Sequence, residues 1–351
     1  MLNLDVQSFV FAGSTPTVVR SASPPTNVSP GLRITAKRYR HTGTQSNVPS
    51  PVESERLTLL FLHCVGAHKE QWEPTIQAIF ERTSKQSPNK TRVREAWSFD
   101  WQNHGDAAVL NKSAGTVTVY DWAAAISAFV KSDHVKGHKI IPIGHSAGAT
   151  TVVLTTKYLP LELKPYPALI LVEPSVVTKE LFEKTIDDRM EQMELVVRMT
   201  TARRDHWASK DEAFVWLSKR YPWSTWDLRI VKLLVDHGLE QNGDGARLKC
   251  DRKHEAVSYT QVEGHFEAAN LLSTISKTIP VHLIWGENED IIPEIIRDSL
   301  NNVSAGMNVA SVRAVEDAGH MIVQEKPDAL AKAICEVLYG CIPPCSVQTK
   351  L

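Results

Sequence analysis

The segment that most constrains this chain runs from Lys139 to Tyr158. An apolar stretch, Lys139–Ile143, leads into Gly144-His145-Ser146-Ala147-Gly148, and small and β-branched residues follow from Ala149 to Tyr158. The first part reads as a buried strand and the last as a helix. The G-x-S-x-G motif between them fits a sharp strand-to-helix turn. Small neighbours there let a serine take an unfavourable backbone conformation with its Oγ exposed. The amides at the start of the following helix then point toward the reacting centre. On this reading Ser146 is a nucleophile. The competing reading is a glycine-flanked serine in an ordinary turn, and the strand and helix on either side weigh against it.

The rest of the chain repeats this alternation. A short first strand is expected near Ser8–Ala12, with loops across residues 12–31. Leu32–Arg40 alternates apolar and basic residues, as a half-exposed edge strand does. After a polar turn, Thr42–Ser54, the continuous apolar run Leu57–His63 predicts a strand buried on both faces of a parallel sheet. Arg94–Asp100, Ala168–Val172, Val281–Trp285 and Val309–Val315 predict further strands, with helices over Val119–Lys131 and Asp328–Leu338. Strands alternating with helices imply an α/β fold, a mostly parallel central sheet flanked by helices. From Ser175 to about Leu272 the pattern changes to long charged helical segments with several tryptophans. Residues 1–175 and 273–351 are therefore expected to form the α/β core, and 176–272 an inserted helical cap.

Composition excludes several classes of function. The 351 residues carry 39 Lys and Arg against 40 Asp and Glu, a formal charge of -1. That balance gives no reason to expect nucleic acid or an anionic membrane surface as partner. No apolar run reaches the ~18–20 residues of a membrane-spanning helix. The start, Met-Leu-Asn-Leu-Asp, lacks the basic and apolar regions of a secretory signal. Five sparse cysteines fit reduced thiols inside a cell. Cys341 and Cys345 are spaced like half a metal site, but no second pair or His cluster completes it. No metal or other cofactor is expected, and the partner expected is a small molecule with an apolar part.

Leu57–His63 runs into Cys64-Val65-Gly66-Ala67-His68, and Asp317-Ala318-Gly319-His320 precedes Met321-Ile322-Val323-Gln324-Glu325-Lys326-Pro327. With the Ser146 turn, these segments resemble the α/β hydrolases over nearly the whole chain. The likeness is greatest to fungal members associated with toxin and other secondary-metabolite biosynthesis, some of them peroxisomal. It rests on the His63–Glu70 stretch, Asn103-His104-Gly105-Asp106, Glu173-Pro174, Arg203-Arg204-Asp205-x-Trp207 and Gly319-His320. The resemblance implies a base at His320, whose imidazole can take the serine proton and return it near neutral pH. It implies oxyanion N–H donors from Val65 and Ala147, although Cys64 stands where the family usually has Gly. Three carboxylates compete for the triad acid. Glu289 matches the spacing Gly286-x-x-Glu289-x-x-x-Pro293 and is preferred, with Asp290 beside it. Glu173, in Val172-Glu173-Pro174, is the alternative.

The same resemblance implies hydrolysis or acyl transfer on a specialised metabolite. A serine at the turn points to an ester or thioester and an acyl-Ser146 intermediate. Two alternatives stay open: a pathway enzyme for cyclisation or C–C cleavage, and a ligand-binding receptor on the same scaffold. Trp207, Trp216, Trp223 and Trp226 either line an apolar pocket or pack the cap. His68 and Trp72, beside the oxyanion loop, either touch substrate or pack. Cys64 as nucleophile is disfavoured because Ser146 already occupies the turn. Thr349-Lys350-Leu351 resembles a C-terminal peroxisomal address with Thr in place of Ser, so peroxisome and cytosol are both expected compartments.

Overall fold

The computed structural model describes residues 3–12, 31–42, 56–85, 93–160, 165–243 and 245–341. Among these are eleven strands: β1 Leu4–Ala12, β2 Arg33–His41, β3 Leu57–Leu62, β4 Val93–Phe99, β5 Lys139–His145, β6 Leu169–Val172, β7 His206–Trp207, β8 Leu239–Asn242, β9 Gly245–Leu248, β10 Val281–Gly286 and β11 Ser311–Val315. Eight form the central sheet in the order β1-β2-β4-β3-β5-β6-β10-β11. β1–β2 and β2–β4 pair antiparallel, and every other pair in this sheet is parallel. The chain therefore has the α/β-hydrolase architecture, a mostly parallel sheet flanked by helices.

The continuous apolar runs have a simple physical origin. Successive side chains of a strand point to opposite faces, so a strand covered on both faces must be apolar throughout. In β3, Leu60 and Leu62 enter one core, while Leu57, Leu59 and Phe61 enter the other. β6 divides the same way, Leu169 and Leu171 against Ile170 and Val172. The helices Val119–Val130, Ala147–Thr155 and Glu263–Ile275 cover the first face. The helices Glu73–Ser84 and Pro327–Cys341 cover the second.

Two expectations need correction. The alternating strand β2 is not the edge. β1 is longer than expected and pairs with β2 from Leu4↔His41 to Ala12↔Arg33, so β1 is the outer strand. The basic residues of β2 find partners within the fold: Lys37 lies 3.0 Å from Glu73, and Arg40 lies 2.8 Å from Glu95. The segment inserted between β6 and β10 is not purely helical either. β7, β9 and β8 form a small antiparallel sheet in it. Trp207, Trp226, Ile230, Val231 and Leu234 build a separate apolar cluster there. The helix Glu263–Ile275, most of it assigned to the cap from sequence, buries Ala268, Ala269, Leu272 and Ile275 against the central core instead. No helix among the described residues is long and apolar enough to cross a membrane.

Buried imidazoles make the fold acid-sensitive. Burial pushes His63 and His265 down from 6.5 to about 4. Above pH 6.5 both are neutral whether the chain is folded or not. Below it the unfolded chain takes up protons that these two rings refuse in the folded chain, so their contribution to stability falls with pH from 6.5 toward 4 and levels off beyond. Equilibrium unfolding at a series of pH values should show this slope already between pH 6.5 and 5. A flat stability over that interval would contradict the neutral, buried state of these rings.

Candidate active site

Ser146 sits between β5 and the helix Ala147–Thr155 with φ 54° and ψ −115°, a strained conformation for a residue with a side chain. Its N–H donates to the carbonyl of Val172 at the end of β6, 3.0 Å away. Gly144 and Gly148 are required by close approach. A Cβ on Gly144 would strike the backbone of Gly148, and one on Gly148 would strike the carbonyls of Leu62 and His63. The turn is thus pressed against the exit of β3, where the loop Cys64–His68 begins. Besides Ser146, the described non-glycine residues with positive φ are Glu173 (46°) and Asp317 (52°). All three belong to the strand ends and loops around the same point.

His320, in the loop after β11, brings its Nδ1 to 3.1 Å from Oε2 of Glu173. With Nδ1–H donating to the carboxylate, Nε2 is left as the free basic nitrogen. Glu173 follows β6 directly and is fully buried. Its other oxygen accepts the N–H of Gly286 at 2.6 Å and lies 3.4 Å from Nη2 of Arg297. His145 is held well below its ordinary value by burial first and by His320 next, so it is neutral. Its Nε2–H donates to the His320 carbonyl at 2.7 Å, which ties the His320 loop to the turn that carries Ser146. Ser146 and His320 are only 9% and 6% exposed, so both work in a largely dry site.

The preferred acid from sequence, Glu289, does not make this contact. It lies exposed on the loop after β10. Asp290 also fails to meet the imidazole; its Oδ1 accepts the backbone N–H of His320 at 2.8 Å. The reason is the path of that loop. The carbonyls of Gly286, Asn288 and Ile292 turn inward to the Arg297 guanidinium, which leaves Glu289 outward. The imidazole partner is the alternative carboxylate, Glu173.

Val65 and Ala147, named from sequence as oxyanion donors, lie in the loop after β3 and at the start of the helix after Ser146. Ala147 is the first residue of its helix, where the backbone N–H has no intrahelical acceptor. Val65 lies half-buried in the loop after β3. That loop is held by two neutral imidazoles. Burial pushes His104 well below its ordinary value, so its Nε2 accepts the Gly66 N–H at 3.0 Å while Nδ1–H donates to Asn103 Oδ1 at 2.6 Å. His63 donates from Nδ1 to the Cys64 carbonyl at 2.7 Å and accepts the Trp101 N–H at 3.1 Å. Cys64 is itself buried, and burial pushes its thiol up to about 12. A thiol so rarely ionised is no nucleophile near neutral pH.

The cap touches this loop. Gly66, Ala67 and His68 share a cavity with Arg203, Trp207 and Trp223. Arg203 is paired with Glu255, Nη1 to Oε1 at 3.0 Å. Trp226 and most of Trp207 pack the cap core, and Trp72 is wholly buried against Phe61. His68 therefore faces the cavity, while Trp72 serves packing. Among the described residues no cluster of three or more His, Cys, Asp or Glu is placed to hold a metal ion. Cys345 and the Thr349-Lys350-Leu351 ending lie outside the described residues. The sequence reading gave no role to His145 or Arg297. His145 was visible inside the motif, but Arg297 carried no local signal.

The chain is 22% identical over 232 residues to an abhydrolase domain-containing protein, AKT2, of Alternaria alternata, covering 56% of this chain and 82% of that one. Among solved structures it is similar to the peroxisomal α/β-hydrolase Lpx1 of Saccharomyces cerevisiae, with TM-score 0.73 and 20% identity over 99% of this chain and 93% of that one. A thioesterase domain from the curacin biosynthetic pathway matches with TM-score 0.60 and 15% identity, covering 86% of this chain and 95% of that one. An esterase of Mycobacterium tuberculosis matches with TM-score 0.60 and 18% identity, covering 89% and 90%. The sequence profile of the alpha/beta hydrolase family spans residues 59–333, more than three quarters of the chain. The chain belongs to the alpha/beta hydrolase family.

Proposed function

We propose that this protein is a serine hydrolase that cleaves an ester or thioester through an acyl-Ser146 intermediate. The observation that carries the reading is the strained Ser146 turn beside an imidazole whose Nδ1 lies 3.1 Å from a buried carboxylate. His320 takes the Ser146 proton as Oγ attacks the carbonyl carbon, then returns it to the leaving group. Glu173 fixes the imidazole tautomer and stabilises the imidazolium. The N–H groups of Val65 and Ala147 receive the charge that develops on the carbonyl oxygen. Water, activated by the same imidazole, then releases the acid. A specialised metabolite is in keeping with the likeness to a biosynthetic thioesterase domain. The likeness to a peroxisomal hydrolase favours that compartment; imaging an N-terminally tagged chain with and without residues 349–351 tests it.

A fluorophosphonate probe tests the chemistry. The expected result is a single adduct, mapped by mass spectrometry to Ser146. A protein that binds the probe's alkyl tail yet forms no adduct would be a receptor on this scaffold. Labelling together with no turnover of any ester or thioester would favour cyclisation or C–C cleavage.

A further inference from the structure

We propose that Arg297 is a positioning residue of the catalytic site, and that it decides which carboxylate orients His320. The inference rests on the reading of Glu173 as the triad acid. A fully buried carboxylate is stable as an anion only with a cation or several donors beside it. Glu173 has both: the Gly286 N–H at 2.6 Å and the Arg297 guanidinium at 3.4 Å, both on Oε1, which leaves Oε2 for the imidazole.

The guanidinium does more than supply charge. Nη1 donates to the Gly286 carbonyl at 2.7 Å, Nη2 to Asn288 at 3.0 Å and Nε to Ile292 at 3.1 Å. It also lies over the Trp285 ring, 5.1 Å from the centroid. Gly286 thus gives its N–H to Glu173 and its carbonyl to Arg297, which fixes the carboxylate and the loop as one unit. The loop 286–292 curls around the guanidinium, and this path leaves Glu289 in solvent and Asp290 on the His320 backbone. One planar cation with donors in several directions can do this; an ammonium cannot satisfy the same set. Arg297 is only 9% exposed, so little water is at hand to replace it.

The test is a double-mutant cycle on kcat and KM with an activated ester, using Arg297→Met, Arg297→Lys and Glu173→Gln. If Arg297 acts through Glu173, Arg297→Met lowers kcat about 100-fold, as a misplaced catalytic group does, with KM little changed. Arg297→Lys falls less. In the Glu173→Gln background both substitutions add almost nothing, because the carboxylate they position is gone. Losses that multiply with Glu173→Gln would reduce Arg297 to an ordinary structural residue and overturn the proposal. So would full kcat in Arg297→Lys and Arg297→Met alike. If Arg297→Met fails to fold, the Lys variant gives the same reading. A fully active Glu173→Gln would remove the triad assignment itself, an outcome distinct from multiplying losses.

Discussion

Replacing Ser146 with Ala is expected to lower kcat about 10⁶-fold, to the residual ~10³–10⁴ over water that binding and the oxyanion hole sustain alone. His320→Ala should fall to a similar level. The double variant should be little worse than either, because nucleophile and base act as one unit and neither is useful without the other. Both variants should fold, since Ser146 and His320 belong to neither of the two apolar cores on the sheet faces. Stopped assays with p-nitrophenyl esters, backed by thermal unfolding, measure this. Activity of Ser146→Ala within tenfold of the parent would end the acyl-serine reading. Losses that multiply in the double variant would mean that the two residues serve separate steps.

Glu173→Gln should cost about 10⁴ in kcat, because an amide at that position favours the wrong imidazole tautomer and leaves the imidazolium without its anion. Glu289→Gln should be close to the parent, since Glu289 is exposed and the imidazole nitrogen faces Glu173. Measured side by side, these two variants separate the acids cleanly. The reverse order, a large loss at Glu289 and a small one at Glu173, would require the loop 286–292 to leave Arg297 when substrate binds.

Several features were legible in the sequence because they depend on neighbours along the chain. The Ser146 turn is one. A Cβ on Gly144 would strike Gly148 within the same five residues, so the tight turn that holds Ser146 at φ 54° is written in the motif, although Gly148 also answers to the Leu62 and His63 carbonyls at the exit of β3. The two-faced burial of β3 and β6 is another, since a strand covered on both sides must be apolar at every position. His320 was readable from the Gly-His step after the last strand. The carboxylate that meets its imidazole was not, and neither was the true edge strand. Spacing placed Glu289 and Glu173 at equivalent loop ends, and nothing local says which one faces the imidazole. That choice belongs to Arg297, more than a hundred residues from Glu173, whose guanidinium draws in the carbonyls of the intervening loop and leaves the Glu289 side chain outside. Likewise β2 reads as an edge because its basic residues alternate, but Lys37 and Arg40 are neutralised by Glu73 and Glu95 from other elements while β1 covers its free side. Local sterics and burial are written residue by residue, whereas the partner of a buried charge is chosen by elements that meet only once the chain has folded.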